Sequence, residues 1–180
     1  MNYLIFVTIL LTAFASNLAI MRVGRDNALT VSLHVAKTRF TINMFRILFG
    51  SATICFALWT YYFLYQNVTL GLVGIIAFIG ITICFGGAAL IPHILGTRGG
   101  DLHNVLAWGL VYLFPVAVAA IIVANPDPII RLSGAVALFL LLTLLGGYIT
   151  VRSQRNYFLY YQISYVVIFF AYMSMLSLYV

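Results

Sequence analysis

Long apolar runs alternate with short polar punctuation along the chain, and each run has the length of a bilayer's hydrocarbon core. An α-helix rises 1.5 Å per residue, so about 20 apolar residues cross roughly 30 Å of hydrocarbon. Six runs reach that length, at about Tyr3–Ile20, Ile47–Tyr65, Leu70–Leu95, Val105–Ala124, Ile129–Thr150 and Tyr157–Tyr179. The breaks between them are chemically distinct. Met21-Arg22-Val23-Gly24-Arg25-Asp26 ends the first run, Gln66-Asn67 ends the second, and Asn125-Pro126-Asp127-Pro128 combines two prolines with two turn-forming side chains. The predicted fold class is all-α: an integral membrane bundle of six transmembrane helices, a single domain over residues 1–180. The spans fill the chain and leave no stretch for a soluble domain.

One connection is long. Residues 27–45 interleave Val31, Leu33, Val35, Phe40, Ile42 and Phe45 with Lys37 and Arg39, just ahead of Arg46. This mixture predicts either an interfacial amphipathic helix on the cytoplasmic side or an extension of the second span into the cytoplasm. The glycine pairs Gly86-Gly87 and Gly146-Gly147 are read as places where helices approach closely, in preference to marks of a repeated hairpin. Pro92 and Pro115 are expected to kink the third and fourth spans.

Composition supports the membrane assignment. Hydrophobic residues make up 64% of the chain and charged residues 7%, against about a quarter charged in a soluble domain, so lipid must be the solvent for most of the surface. The net charge of +6 arises from nine basic and three acidic residues. No basic tail or domain carries it, which excludes nucleic acid as a partner. The basic residues instead sort by side. Arg22, Arg25, Lys37, Arg39, Arg46, Arg98, Arg152 and Arg155 fall in connections on one face of a six-span bundle, and only Arg131 falls on the other. The crowded side is assigned to the cytoplasm, which puts both termini outside and the protein in the cell membrane. Arg22, Arg25, Lys37, Arg39, Arg46, Arg152 and Arg155 are the candidates for contact with lipid head groups. Tyr61, Tyr62 and Tyr65 would then mark the outer interface, and Tyr157, Tyr160 and Tyr161 the inner one.

Several other signals reduce to bland readings. Cys55 and Cys84 sit inside apolar runs and read as small packing residues. Thr12-Ala13-Phe14-Ala15-Ser16 resembles a signal-peptidase site, but no basic residue precedes the apolar run, so the segment reads as a span. Asn67-Val68-Thr69 matches a glycosylation acceptor yet abuts the membrane, where modification is not expected.

Ionisable groups buried in a membrane mark function, because burying them is costly. None lies near the centre of any span, which argues against proton-coupled transport. The single lysine, Lys37, lies outside the spans, which excludes a retinal Schiff base. Titratable groups gather instead at one boundary. His93 follows the third span, Arg98, Asp101 and His103 precede the fourth, and His34 lies in the long connection. His93, His103, Asp101 and His34 form a candidate metal set, since neutral imidazole and carboxylate are zinc ligands. Such a metal could activate water against a lipid head group. The competing reading is a group of interfacial histidines, with Asp101 capping the fourth span. Two shallow histidines beside a glycine turn would cover a haem poorly, and no cofactor is implied.

The stretch Gly99-Gly100-Asp101-Leu102-His103-Asn104-Val105-Leu106-Ala107, followed by Phe114-Pro115, resembles a family of six-span prokaryotic membrane proteins of unknown function. That family is itself similar to the damage-regulated autophagy modulator proteins. The resemblance implies a six-helix bundle in which Asp101 and His103 stand out, and it implies no reaction. The favoured function is a non-enzymatic one: an accessory subunit, or a bundle that binds lipid or a small molecule. A membrane-embedded, metal-dependent lipid hydrolase at the cytoplasmic face and a channel or carrier for an uncharged solute are the alternatives. Expected partners are membrane lipids, together with another membrane protein or a second copy of the chain.

Overall fold

The computed structural model describes residues 1–151 and 156–180. The chain forms helices α1 (Tyr3–Val23), α2 (Val31–Val35), α3 (Arg39–Asn67), α4 (Gly71–Leu90), α5 (Arg98–Ala124), α6 (Pro128–Thr150) and α7 (Phe158–Tyr179). All but α2 are long and apolar enough to cross a membrane, and there is no strand among the described residues. Each of these six helices packs on the next in chain order, and α7 returns to touch α1, the sparsest of these contacts. Asn2 Nδ2 donates to the Ser177 carbonyl at 3.2 Å, so both termini lie at the same end of the bundle.

The spans are apolar around their whole circumference, so aromatic bulk decides which face turns inward. Trp59, Phe56, Phe78, Phe114 and Phe169 are buried in the terminal half of the bundle, with Phe114 and Phe169 stacked at 3.8 Å. Aliphatic residues such as Leu72, Leu132, Ile83 and Val123 point outward. Small residues set the helix spacing where it is tightest. A Cβ on Gly87 would meet Leu106 Cδ1 at 2.7 Å, and one on Gly86 would meet Thr53 at 3.2 Å, whereas one on Gly146 would meet nothing within 4 Å. The close-packing reading therefore holds for the first glycine pair and fails at Gly146.

Local chemistry explains the helix ends and corrects several sequence expectations. The second span starts at Arg39 rather than Ile47, because the Thr38 side chain caps it by accepting from Thr41 N at 3.1 Å. Residues 31–35 form a short separate helix, and the second span extends back through residues 39–46. The third span ends at Leu90 rather than Leu95. Ile91 is extended, as the residue before proline must be, so Pro92 lies beyond the helix and does not kink it. The fourth span begins at Arg98 rather than Val105, and its cap is Thr97, which accepts from Gly100 N at 3.0 Å. Asp101 is therefore not the cap; it is exposed in the first turn, where a negative charge suits the helix dipole. Pro115 does lie within the fourth span and is buried.

At the terminal end, Asp127 caps α6 through Ile129 N at 2.8 Å and Ile130 N at 3.1 Å, with Pro128 at the first helical position. The backbone N–H of Ile130 is the main reason its carboxyl is held below the usual carboxylate range. Asn125, 5% exposed, clamps the neighbouring turn: Oδ1 accepts from Thr69 N, and Nδ2 donates to the carbonyls of Thr69 at 2.6 Å and Ile121 at 2.9 Å. Arg131 donates to the Asn125 carbonyl at 2.6 Å. Asn67 is the last helical residue of α3 and bonds back to Phe63 O at 2.7 Å.

Candidate functional site

The site lies at the end of the bundle opposite the termini, where the α1–α2 and α4–α5 connections come together. The turn from Pro92 to Thr97 folds tightly onto the first turn of α5. Ile94 N bonds to Pro92 O at 3.0 Å, and Gly96 adopts a left-handed φ of 74°. Gly100 presses so closely on this turn that a Cβ there would fall 2.1 Å from the Ile94 carbonyl oxygen. The fold-back brings His93 and His103 together, both buried, with rings stacked at 5.1 Å and 14°.

The hydrogen bonds define what each imidazole can do. His103 Nδ1 lies 2.7 Å from the Ile91 carbonyl, which can only accept, so the proton sits on Nδ1. Its Nε2 has no protein partner among the described residues. His93 Nδ1 lies 3.3 Å from Ser32 Oγ on α2, and burial pushes its pKa down. His34 is different. It is fully buried, donates from Nδ1 to Thr30 O at 2.8 Å, and accepts at Nε2 from Asp26 N at 3.1 Å. Both nitrogens are occupied in holding the α1–α2 turn. Of the four residues singled out as a metal set, then, His93 and His103 come together, His34 is tied to backbone, and Asp101 points to the exterior. Among the described residues no group of three or more His, Cys, Asp and Glu side chains converges as a metal site would. Nor do the rings suit a haem, since two stacked imidazoles cannot ligate one iron from opposite faces of a porphyrin.

The histidine pair borders a cavity of about 620 Å³ lined mainly by α1, α5 and α7 (as far as Ser174), with contributions from α2, α3, α4 and α6. Its walls are apolar and aromatic, including Phe45, Phe85, Phe114, Trp108, Phe158 and Phe170. Polar groups collect toward the histidine end: Ser32, His93, His103, Asn104, Tyr148 and Gln162. Among the described residues no Asp, Glu, Lys or Arg lines it. Thr12, Ser16 and Asn17 add a polar stripe from α1. Ser16 and Asn17 bond to their own helix, whereas the Thr12 hydroxyl is buried without a partner among the described residues.

The cavity reaches the outside of the bundle part-way along the seam between α1 and α7. Ala13 and Asn17 on one helix, and Ile163, Val167 and Ala171 on the other, both line the cavity and are exposed. The seam is closed at each end. Asn2 bonds to Ser177 at the terminal end, while Leu159 N bonds to Asn27 O at 3.1 Å and Val31 N to Gln162 Oε1 at 2.9 Å at the other. Arg25 also reaches Tyr160 there, with its guanidinium 4.8 Å from the ring centroid.

Among the basic residues expected at lipid head groups, Arg22, Arg25, Lys37, Arg39 and Arg46 are all exposed at this end. Three of them also contact protein: Arg22 lies over Phe40, Arg25 engages Tyr160, and Arg46 donates to Leu90 O at 3.0 Å. Arg152 and Arg155 lie outside the described residues. Sequence reasoning missed Trp108, Tyr148, Gln162, Thr12, Ser16 and Asn17. Thr8, Thr12 and Ser16 repeat every four residues, and that period within an otherwise oily run was the available signal.

Fold and cavity together define the class: a bundle of six helices long and apolar enough to cross a membrane, holding a side-opening apolar chamber with a polar floor. No family model matches the chain, and neither a curated protein nor a solved structure is similar to it.

Proposed function

We propose that this protein binds a lipid-like amphiphile, which enters from the bilayer through the α1–α7 seam and lodges with its head toward the histidine pair. The observation that carries this reading is the cavity itself. Its volume falls within the roughly 300–1,000 Å³ of small-molecule sites, its walls are apolar with a few polar groups at one end, and its side opening falls part-way along two helices long and apolar enough to cross a membrane. The lipid hydrolase has less support, because His34 and Asp101 do not join the stacked pair. The channel or carrier has less support too, because bulky aromatics pack the terminal half of the bundle where a polar path would have to run. We place the protein in the cytoplasmic membrane with both termini outside, on the sidedness of its basic residues. Exposed Lys37 and Arg39 then sit at the level of anionic head groups. A second copy or another membrane protein remains the macromolecular partner this reading allows, and the likeness to the six-span family enters only through the span count and the Gly-Asp-His stretch.

The test is to narrow the seam. Ala171→Trp, with Ala13→Trp as a second variant, should abolish the retention of co-purifying amphiphile seen by native mass spectrometry of the detergent-solubilised wild type, while circular dichroism stays helical. A wild type that retains and takes up no amphiphile, or variants that bind as well as wild type, would overturn the reading. Orientation is tested separately. In a background lacking Cys55 and Cys84, Gln66→Cys and Pro126→Cys should react with a membrane-impermeant maleimide added outside intact cells; protection of both would reverse the topology.

A further inference from the structure

The polar floor of the chamber constrains the chemistry of what it holds. A charged head group taken out of water needs a counter-ion, and among the described residues no charged side chain lines the cavity. The described walls therefore suit a neutral head. Several floor groups are already engaged: Ser32 Oγ lies 2.8 Å from Thr30 Oγ1, Thr30 Oγ1 accepts from Leu33 N, and Gln162 Oε1 accepts from Val31 N. His103 keeps one nitrogen open: it is 3% exposed, its Nδ1 proton is committed to the Ile91 carbonyl, and with no carboxylate among the described lining residues to pair with an imidazolium its Nε2 is a lone pair without a protein partner. An acceptor on the chamber lining with no protein partner is satisfied by a donor from what the chamber holds.

Size narrows the class further. At about 30 Å³ each, the volume share of a water molecule, the chamber holds on the order of 20 non-hydrogen atoms. That is the bulk of one long chain with a small head.

Resting on the amphiphile-binding reading above, we infer that the chamber takes a single-chain lipid alcohol, fatty or isoprenoid, whose hydroxyl donates to Nε2 of His103. Selectivity then comes from the direction of one hydrogen bond and from the lack of charge. A methyl ether of the same chain fits the walls but has no proton to offer. A carboxylate or quaternary ammonium of the same chain brings a charge that no described lining residue balances.

The experiment measures binding to the purified full chain in detergent at pH 7.5, by native mass spectrometry, of hexadecanol, farnesol, hexadecyl methyl ether, palmitate and hexadecyltrimethylammonium. Both alcohols, or whichever of the two chain types the walls prefer, should bind at least tenfold more tightly than the ether and the two ions. His103→Phe should reduce alcohol binding to the level of the ether while leaving the ether unchanged. Equal binding of ether and alcohol to wild type, or tighter binding of either ion, would overturn the inference, and this comparison needs no variant to fold. The two levels of failure are separable. Seam-dependent binding of all chains without head preference would sink only the alcohol assignment; no binding of any chain would sink the amphiphile reading with it.

Discussion

Gly100 offers a stringent test of how the histidine turn is built, because its neighbour serves as a control. Gly100→Ala places a methyl group 2.1 Å from the carbonyl oxygen of Ile94 and 2.9 Å from its carbon. Non-bonded heavy atoms settle at about 3.5–4.0 Å, so the 91–97 turn must retreat by more than about 1 Å. Neither contact is the end of a flexible side chain; both atoms are backbone. Overpacking of this kind costs about 1–3 kcal/mol. The retreating turn also carries Ile91, whose carbonyl receives the His103 proton at 2.7 Å, and loss of that bond adds roughly 1 kcal/mol. Gly99→Ala, one residue earlier in the same helical turn, meets only Thr97 Oγ1 at 3.7 Å and Ile91 Cγ2 at 3.8 Å, which are ordinary contacts. It should gain up to about 1 kcal/mol from the better helix former. In a thermal-shift assay of detergent-solubilised protein, about 2–4 °C per kcal/mol puts Gly100→Ala roughly 4–16 °C below wild type and Gly99→Ala at or slightly above it. Equal midpoints for the two variants, or a Gly100→Ala midpoint at or above wild type, would refute the argument.

Other consequences can be checked in the same assay. Asn125→Ala strands the backbone N–H and carbonyl of Thr69 in a closed turn and should cost about 2–4 kcal/mol, read as a lowered midpoint; Asn125→Asp should not restore it, since Nδ2 is the donor to two carbonyls. Asp127 has a lowered folded-state pKa, so its contribution is present above the ordinary value of 3.8 and is lost as pH falls through the lowered one. Its removal by Asp127→Ala should therefore lower the midpoint at pH 7 and have no effect in strong acid. His93 also has a lowered folded-state pKa, but as a base: its neutral form is the one the fold favours, so stability is full above about 6.5 and declines as pH falls below it. Midpoints taken from pH 7.5 to 5 should fall for wild type and fall less for His93→Gln; parallel curves would refute a role for that imidazole.

Much of this architecture was legible in the chain itself. The count of six spans follows from the length of hydrocarbon a helix must cross, and Asn125-Pro126-Asp127-Pro128 marks a turn whose cap and first helical residue appear in the structure where turn chemistry puts them. Span edges were harder to read, because competing local signals sit side by side. Both Thr97 and Asp101 are good caps, and only the position of the turn over Gly100 made Thr97 the one in use. The boundary histidines show the same division. Composition placed three imidazoles near one membrane face, but folding tied His34 to backbone at both nitrogens and stacked His93 on His103 with one lone pair left open.

The chamber was out of reach for a deeper reason. In a soluble protein the apolar stripe of a helix points to the core, so periodicity reports which residues meet. Helices bathed in lipid are oily on every side, and the pattern carries no such direction. Length and breaks in the chain determined how many helices there are and in what order. Whether their bulky side chains interlock, as Phe114 and Phe169 do, or leave a gap beside α7 depends on shape complementarity between residues far apart in the chain, and only the assembled bundle decides that.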